Sequence, residues 1–228
     1  MTADFTFVFA IFPRVTQLDF TGPYEVFRRL PGGQCILAST TGADVQGDGG
    51  ITFTNIRRLA DIERCDLICI PGGYGTIAAI EDLEFLEQVR RLASTSRYVT
   101  SVCTGSVILG AAGLLRGRRA ASHWAWRDAL AAFGATPDDA RVVRDGNIFT
   151  GGGVTAGIDF ALTVLAELAG EQYAQVVQLN LEYAPAPPFA TGRPESAPPH
   201  VLSDAMRGHD SVREIRDAAV ARAAAQLK

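Results

Sequence analysis

Histidine is scarce in this 228-residue chain. Three occur, His123, His200 and His209, and no two are spaced as an H-E-x-x-H pair, so no metal site is expected. The four cysteines, Cys35, Cys65, Cys69 and Cys103, lie inside or at the ends of apolar runs. None has the spacing of a disulfide scaffold or a zinc knuckle, which implies reduced thiols and a cytoplasmic setting. No apolar run reaches the length of a membrane span. The opening "MTADFTFVFAIFP" lacks the basic region of a signal peptide and carries Asp4, so it reads as the first buried strand of a soluble protein. A formal charge of -4 excludes the basic footprint that nucleic acid requires, and the partner is read as a small molecule. No internal repeat and no second motif-bearing domain occurs.

What is present is an alternation of strands and helices. "FTFVFAIF", "QCILAST", "CDLICIPGG" and "RYVTSVC" read as buried strands, and "DLEFLEQVRRLAS" has the apolar spacing of a surface helix. "GPYEVFRRL" reads as a helix with Pro23 in its first turn. "ITFTNI" reads as a strand in an excursion, and "RRAASH" with "WAWRDALAAFG" as a short strand and helix. "RVVRDGNIFTGGG" reads as a hairpin turning at Asp145-Gly146, followed by helices in "TAGIDFALTVLAELAG" and "EQYAQVVQLNLEY". Such alternation implies an α/β fold, a mostly parallel sheet flanked by helices on both faces. The segment "APAPPFATGRPESAPPH" excludes regular structure through its prolines and leads to a last helix over roughly residues 200–227. The expected organisation is one α/β domain, residues 1–195, with a C-terminal helical extension, residues 196–228, packed on it.

In such a sheet, ligands gather where strands end and helices begin. "IPGGYG", "SVCTGS" and "TGGGVTAG" all meet that description. A lone cysteine in apolar surroundings is most often a core residue, and Cys35, Cys65 and Cys69 read that way. Cys103 differs because it sits in a strand-to-helix turn, where unpaired helix N–H groups are expected to lower its thiol pKa and favour thiolate. Asp19, just before "TGP", reads by itself as a turn or cap residue. "TGGGVTAG" lacks the lysine of a phosphate-binding loop. His123 begins a helix and is expected to bond to backbone there, outside the catalytic set. Tyr74, Trp124 and Trp126 belong either to the pocket or to the core.

"LDFTGPYEVF", "DLICIPGGYGT", "YVTSVCTGSVILGAAGLLRGRRAASHWAW" and "RVVRDGNIFTGGGVTAGIDFAL" together resemble the ThiJ/PfpI superfamily. Its fold is flavodoxin-like and close to class I glutamine amidotransferases. Within it the chain is most similar to the isocyanide hydratases, over residues 5 to about 195. The resemblance implies a cofactor-free, homodimeric hydro-lyase that adds water to an isocyanide, R–N≡C, through a covalent thioimidate. It implies Cys103 as nucleophile, Asp19 as acid/base and Thr104 as a hydrogen-bonding neighbour, with Gly152 and Val154 lining the substrate pocket. Gly72 and Gly73 are expected to offer N–H groups to developing charge. An aspartate at position 19 and Thr104 after the cysteine weaken a glyoxalase/deglycase or peptidase reading. A cysteine-based small-molecule or redox sensor without turnover is the rival. The region after residue 195 is too short for the paired helix-turn-helix module of regulatory relatives.

Overall fold

The apolar run Phe5–Ala10 forms β1, buried along its length after the first two residues, and Gln17–Phe27 follows as helix α1. The computed structural model describes residues 5–227; the first four residues of the N-terminal run read above, and Lys228, lie outside the described residues. The chain continues through β2 (Gly33–Ser39), then an excursion containing β3 (Val45–Gln46) and β4 (Thr52–Phe53), and β5 (Arg57–Arg58). Next come β6 (Leu67–Ile70), the short α2 (Thr76–Ala79), α3 (Leu83–Thr95), β7 (Tyr98–Val102) and α4 (Gly105–Ala111). The strands β8 (Arg119–Ala120) and β9 (Thr136–Pro137) bracket a 3-10 helix, Trp124–Phe133. Then follow β10 (Val142–Asp145), β11 (Ile148–Gly151), α5 (Ala156–Ala169), α6 (Glu171–Asn180), α7 (Pro199–Asp210) and α8 (Arg213–Ala225).

The main sheet has the order β10-β11-β7-β6-β1-β2-β5. Every neighbouring pair in it is parallel except β10 with β11. This is the mostly parallel sheet that the alternation implies, in the flavodoxin-like form that the resemblance implies. Helices α1, α5 and α6 pack together on one face, and α3 and α4 on the other. Phe7 stacks on Phe27 at 4.8 Å between ring centres, and Phe27 meets Phe160 edge-on, joining β1 to α1 and α5. The chain reverses its direction across the sheet between β1 and β6, the place where open α/β sheets leave a crevice at the strand carboxyl ends. The residues after β1, β6, β7 and β11 converge there.

Several boundaries differ from the sequence reading. Helix α1 starts at Gln17, not near Pro23, so Pro23 sits inside it. Proline there removes one helical hydrogen bond, but burial of Phe20 against Phe53, with ring centres 4.8 Å apart, holds the preceding turn. Strands β10 and β11 pair Asp145 with Ile148, which puts Gly146 and Asn147 in the turn; Asp145 instead accepts from Arg118 and the Arg119 N–H. The excursion is real, and β3 and β4 form their own two-stranded ribbon outside the main sheet. The last helix is two, α7 and α8, with Ser211 and Val212 between them. Helix α8 is fastened to the body by Arg216, which reaches Asp128 at 3.1 Å, bonds the Ala125 carbonyl at 2.6 Å and lies over the Trp126 ring. No helix among the described residues is long and apolar enough to cross a membrane.

Candidate active site

Cys103 follows directly on β7 and has φ +58°, a left-handed conformation that non-glycine residues rarely adopt. That bend is held from both sides. The Cys103 N–H donates to the carbonyls of Gly152 at 2.7 Å and Gly151 at 3.1 Å. Its carbonyl accepts from the hydroxyls of Ser106 at 3.2 Å and Ser122 at 3.1 Å. The bend turns the sulfur out of the sheet toward the backbone N–H groups of Thr104 and Val154, whose dipoles favour its anion. Gly105 is required behind it, since a Cβ there would collide with the Ile70 carbonyl oxygen at the end of β6.

Asp19, in the first turn of α1, has no solvent exposure. Its Oδ2 accepts from the Gly72 N–H at 2.8 Å, and its carboxyl interacts with the Cys103 thiol. Oδ1 is buried with no well-formed hydrogen bond among the described residues, so the carboxyl keeps room for a proton. Burial pushes this carboxyl up to about 7, against the opposing pull of the Gly72 N–H and the thiol; the charge of Asp48 adds a further upward push.

The thiol shift runs opposite to the sequence expectation. Cys103 is 5% exposed, and burial pushes its thiol well above the ordinary range, with the Asp19 charge acting in the same direction. The N–H groups of Thr104 and Val154 oppose this without overcoming it. Desolvation of an anion outweighs two partial charges. The resting pair is a neutral thiol beside a carboxyl that titrates near neutrality.

Gly72 and Gly73 also work differently from expectation. Their N–H groups are taken: Gly72 donates to Asp19, and Gly73 donates to Thr104 Oγ1 at 3.0 Å. They fix the acid and the neighbour in place and have no free donor for a substrate. A Cβ at Gly72 would collide with Thr104 Oγ1 and stand 3.1 Å from Asp19 Oδ2, so only glycine fits. Thr104 thus faces two ways, its N–H to the sulfur and its hydroxyl to Gly73 and to Thr76 Oγ1 at 2.7 Å. Thr76, Ser106 and Ser122 escaped the sequence reading, because an isolated hydroxyl residue has no local pattern that announces its partner.

Gly152 and Val154 line a cavity of about 270 Å³, which adjoins the backbone around Cys103 while Cys103 itself is not in its wall. His123 also lines it; its Nδ1 accepts from the Ala125 N–H at 3.3 Å, and burial, with His209 and Arg127 nearby, holds it down at about 4. It is neutral and tied to backbone. Trp124 lines the cavity, Trp126 packs under Arg216, and Tyr74 is 70% exposed beneath Arg14. Among the described residues there is no cluster of histidine, cysteine and carboxylate groups suited to a metal ion.

A positive-φ cysteine at the end of a central parallel strand, facing a buried carboxyl from the first helix, defines a class of cysteine-bearing flavodoxin-like domains. The DJ-1/PfpI family pattern matches residues 6–167, and the chain belongs to that family. It is 50% identical over 219 residues to the isonitrile hydratase of Pseudomonas putida, covering 96% of each chain. A THiJ/PfpI family protein from Pseudomonas syringae superposes with a TM-score of 0.91 at 40% identity, over 98% of this chain and 91% of that one. An HTH-type transcriptional regulator from Pseudomonas aeruginosa is 30% identical over 152 residues, 64% of this chain but 44% of the regulator.

Proposed function

We infer that the chain is an isonitrile hydratase, a hydro-lyase that converts R–N≡C and water to the formamide R–NH–CHO, and that Cys103 is its nucleophile. The supporting observation is the buried Asp19 carboxyl, held by Gly72 and set against the Cys103 thiol, in a chain 50% identical to a hydratase over nearly its full length.

The chemistry follows from one proton shared by two groups. Ionised Asp19 takes the thiol proton as the sulfur bonds to the terminal isocyanide carbon, and the Thr104 and Val154 N–H groups stabilise negative charge on the sulfur as it develops. Asp19 then passes that proton to the same carbon, giving R–N=CH–S–Cys103. Water adds to this thioimidate carbon, and one of its protons reaches the nitrogen by way of Asp19. The C–S bond breaks, the remaining hydroxyl proton returns to sulfur, and R–NH–CHO leaves. A carboxyl near 7 both accepts and donates in this cycle at neutral pH.

The test is to give the purified protein an alkyl or aryl isocyanide and follow formamide by NMR, with Cys103→Ala alongside. Formamide from the wild type and none from the variant is expected; a silent wild type removes the reading. A sensor without turnover is less favoured, because a redox cysteine reacts as exposed thiolate and Cys103 is neither exposed nor easily ionised. A homodimer in the cytoplasm, and residues 196–228 as an extension to a domain of residues 1–195, complete the proposal.

A further inference from the structure

The cavity beside Cys103 has two unlike walls. Gly152, Val154 and Ser122 form the wall next to the cysteine, and Arg127, Arg141 and Arg193 stand elsewhere around it. Asp139, exposed to solvent, is the one acid in the lining among the described residues, so cations prevail. Arg141 is committed: it pairs with Asp159 at 2.7 Å and donates to Thr155 Oγ1 at 3.1 Å. Arg193 donates to the Asp139 carbonyl and faces Glu195 at 3.9 Å. Arg127 is the most loosely held of the three. Its Nε is buried with no hydrogen-bond partner among the described residues, and the acid it faces, Glu195, stands 4.0 Å away.

The Arg127 side chain is 21% exposed and makes no hydrogen bond among the described residues, and the group that matches the fork of its terminal N–H groups is a carboxylate. Resting on the hydratase reading, we propose that this cavity receives the non-reacting end of the isocyanide, and that Arg127 selects substrates that end in a carboxylate. Gly152, whose carbonyl accepts from the Cys103 N–H, and Ser122, whose hydroxyl donates to the Cys103 carbonyl, bring this wall up to the cysteine, while the arginines supply the charge that a neutral isocyanide has no use for. Arg127 is in this sense a specificity-determining residue and takes no part in bond making.

The probes are pentyl isocyanide and 5-isocyanopentanoate, which share a chain length and differ in the terminal carboxylate. The wild type is expected to favour the carboxylate in kcat/KM, and Arg127→Gln is expected to cut that preference about 10- to 100-fold, chiefly through KM. Arg127→Lys, which keeps the charge but not the fork, restores part of it. A preference for the neutral probe in the wild type, or a ratio that Arg127→Gln leaves in place, overturns the proposal with the hydratase reading intact. If the wild type hydrates neither probe, the hydratase reading fails by itself. Calorimetric titration of the Cys103→Ala protein with 5-isocyanopentanoate then decides about the cavity: binding that disappears on adding Arg127→Gln upholds the carboxylate site, and binding that is absent or unaffected rejects it.

Discussion

Cys69 on β6 and Cys103 just past the neighbouring β7 are alike in almost everything except use. Both are buried, both thiols are pushed up by burial, Cys69 to about 12, and the charge of Asp19 acts on both. Ease of ionisation therefore does not set them apart. Cys69 lies within β6, its backbone spent on the ladders that pair it with Phe9 and Thr100. Cys103 lies one residue past β7 at positive φ, where two N–H groups and a carboxyl meet its sulfur. A buried thiol becomes a useful nucleophile when a proton acceptor and anion donors are built around it, and burial then becomes an asset, because those few dipoles act in a dry, low-dielectric site.

The sharpest way to break this contrast is to delete each sulfur. Cys103→Ala should lower kcat by at least about 10³-fold while the circular dichroism spectrum stays native. Cys69→Ala should keep activity within about threefold and lose roughly 1–2 kcal/mol in urea unfolding, the cost of a small cavity. Equal losses of activity from the two would erase the distinction between them.

Removing the acceptor alone comes next. Asp19→Asn should reduce kcat by about 10²- to 10⁴-fold, since an amide cannot carry the proton. Its stability should move the other way. The folded carboxyl titrates near 7 and the unfolded one near 3.8. Between those values the folded state holds a proton that the unfolded state has lost, so wild-type stability is greatest below the lower value and falls as pH rises through the upper one. Asp19→Asn escapes that loss. Urea midpoints should show it more stable than wild type by up to about 4 kcal/mol at pH 8, and no more stable at pH 4. A variant equally stable relative to wild type at both pH values would mean that Asp19 is not held up by burial.

The same pair predicts the pH dependence of turnover. Reaction needs one proton shared between thiol and carboxyl, so kcat/KM should fall about tenfold per pH unit below about 7. A flat profile from pH 5 to 8 would shift the acid/base role to another group. Thr104→Val comes lower in the order: it strands the Gly73 N–H and Thr76 hydroxyl, and about a tenfold loss of kcat/KM is expected. Least affected should be His123→Asn, within about threefold in kcat, because an imidazole held down at about 4, with its Nδ1 taken by the Ala125 N–H, is a poor base for Cys103; a loss near that of Asp19→Asn would bring histidine into the mechanism.

The alternation of strands and helices, the glycines after each central strand and the cysteine at a strand end were all legible, because each rests on the order of neighbouring residues. Asp19 was not legible from its surroundings, where it resembles a cap; the family resemblance singled it out, and only the packing of α1 onto α5 and the loop after β6 puts it in the dry. Helix α1 beginning ahead of Pro23, and the division between α7 and α8, were missed because local propensity yields to burial and to anchors such as Arg216.

The sequence by itself determined the kind of sheet, the order of its strands' loops and the presence of a thiol at one of them, since hydrophobic period and turn residues act over a few positions. Tertiary structure alone decided the sign of the thiol's shift, the capture of the Gly72 and Gly73 N–H groups, and the partners of Thr104. Those depend on solvent being excluded by segments far apart in the chain, and exclusion of water is a property of the packed whole that no local stretch can specify.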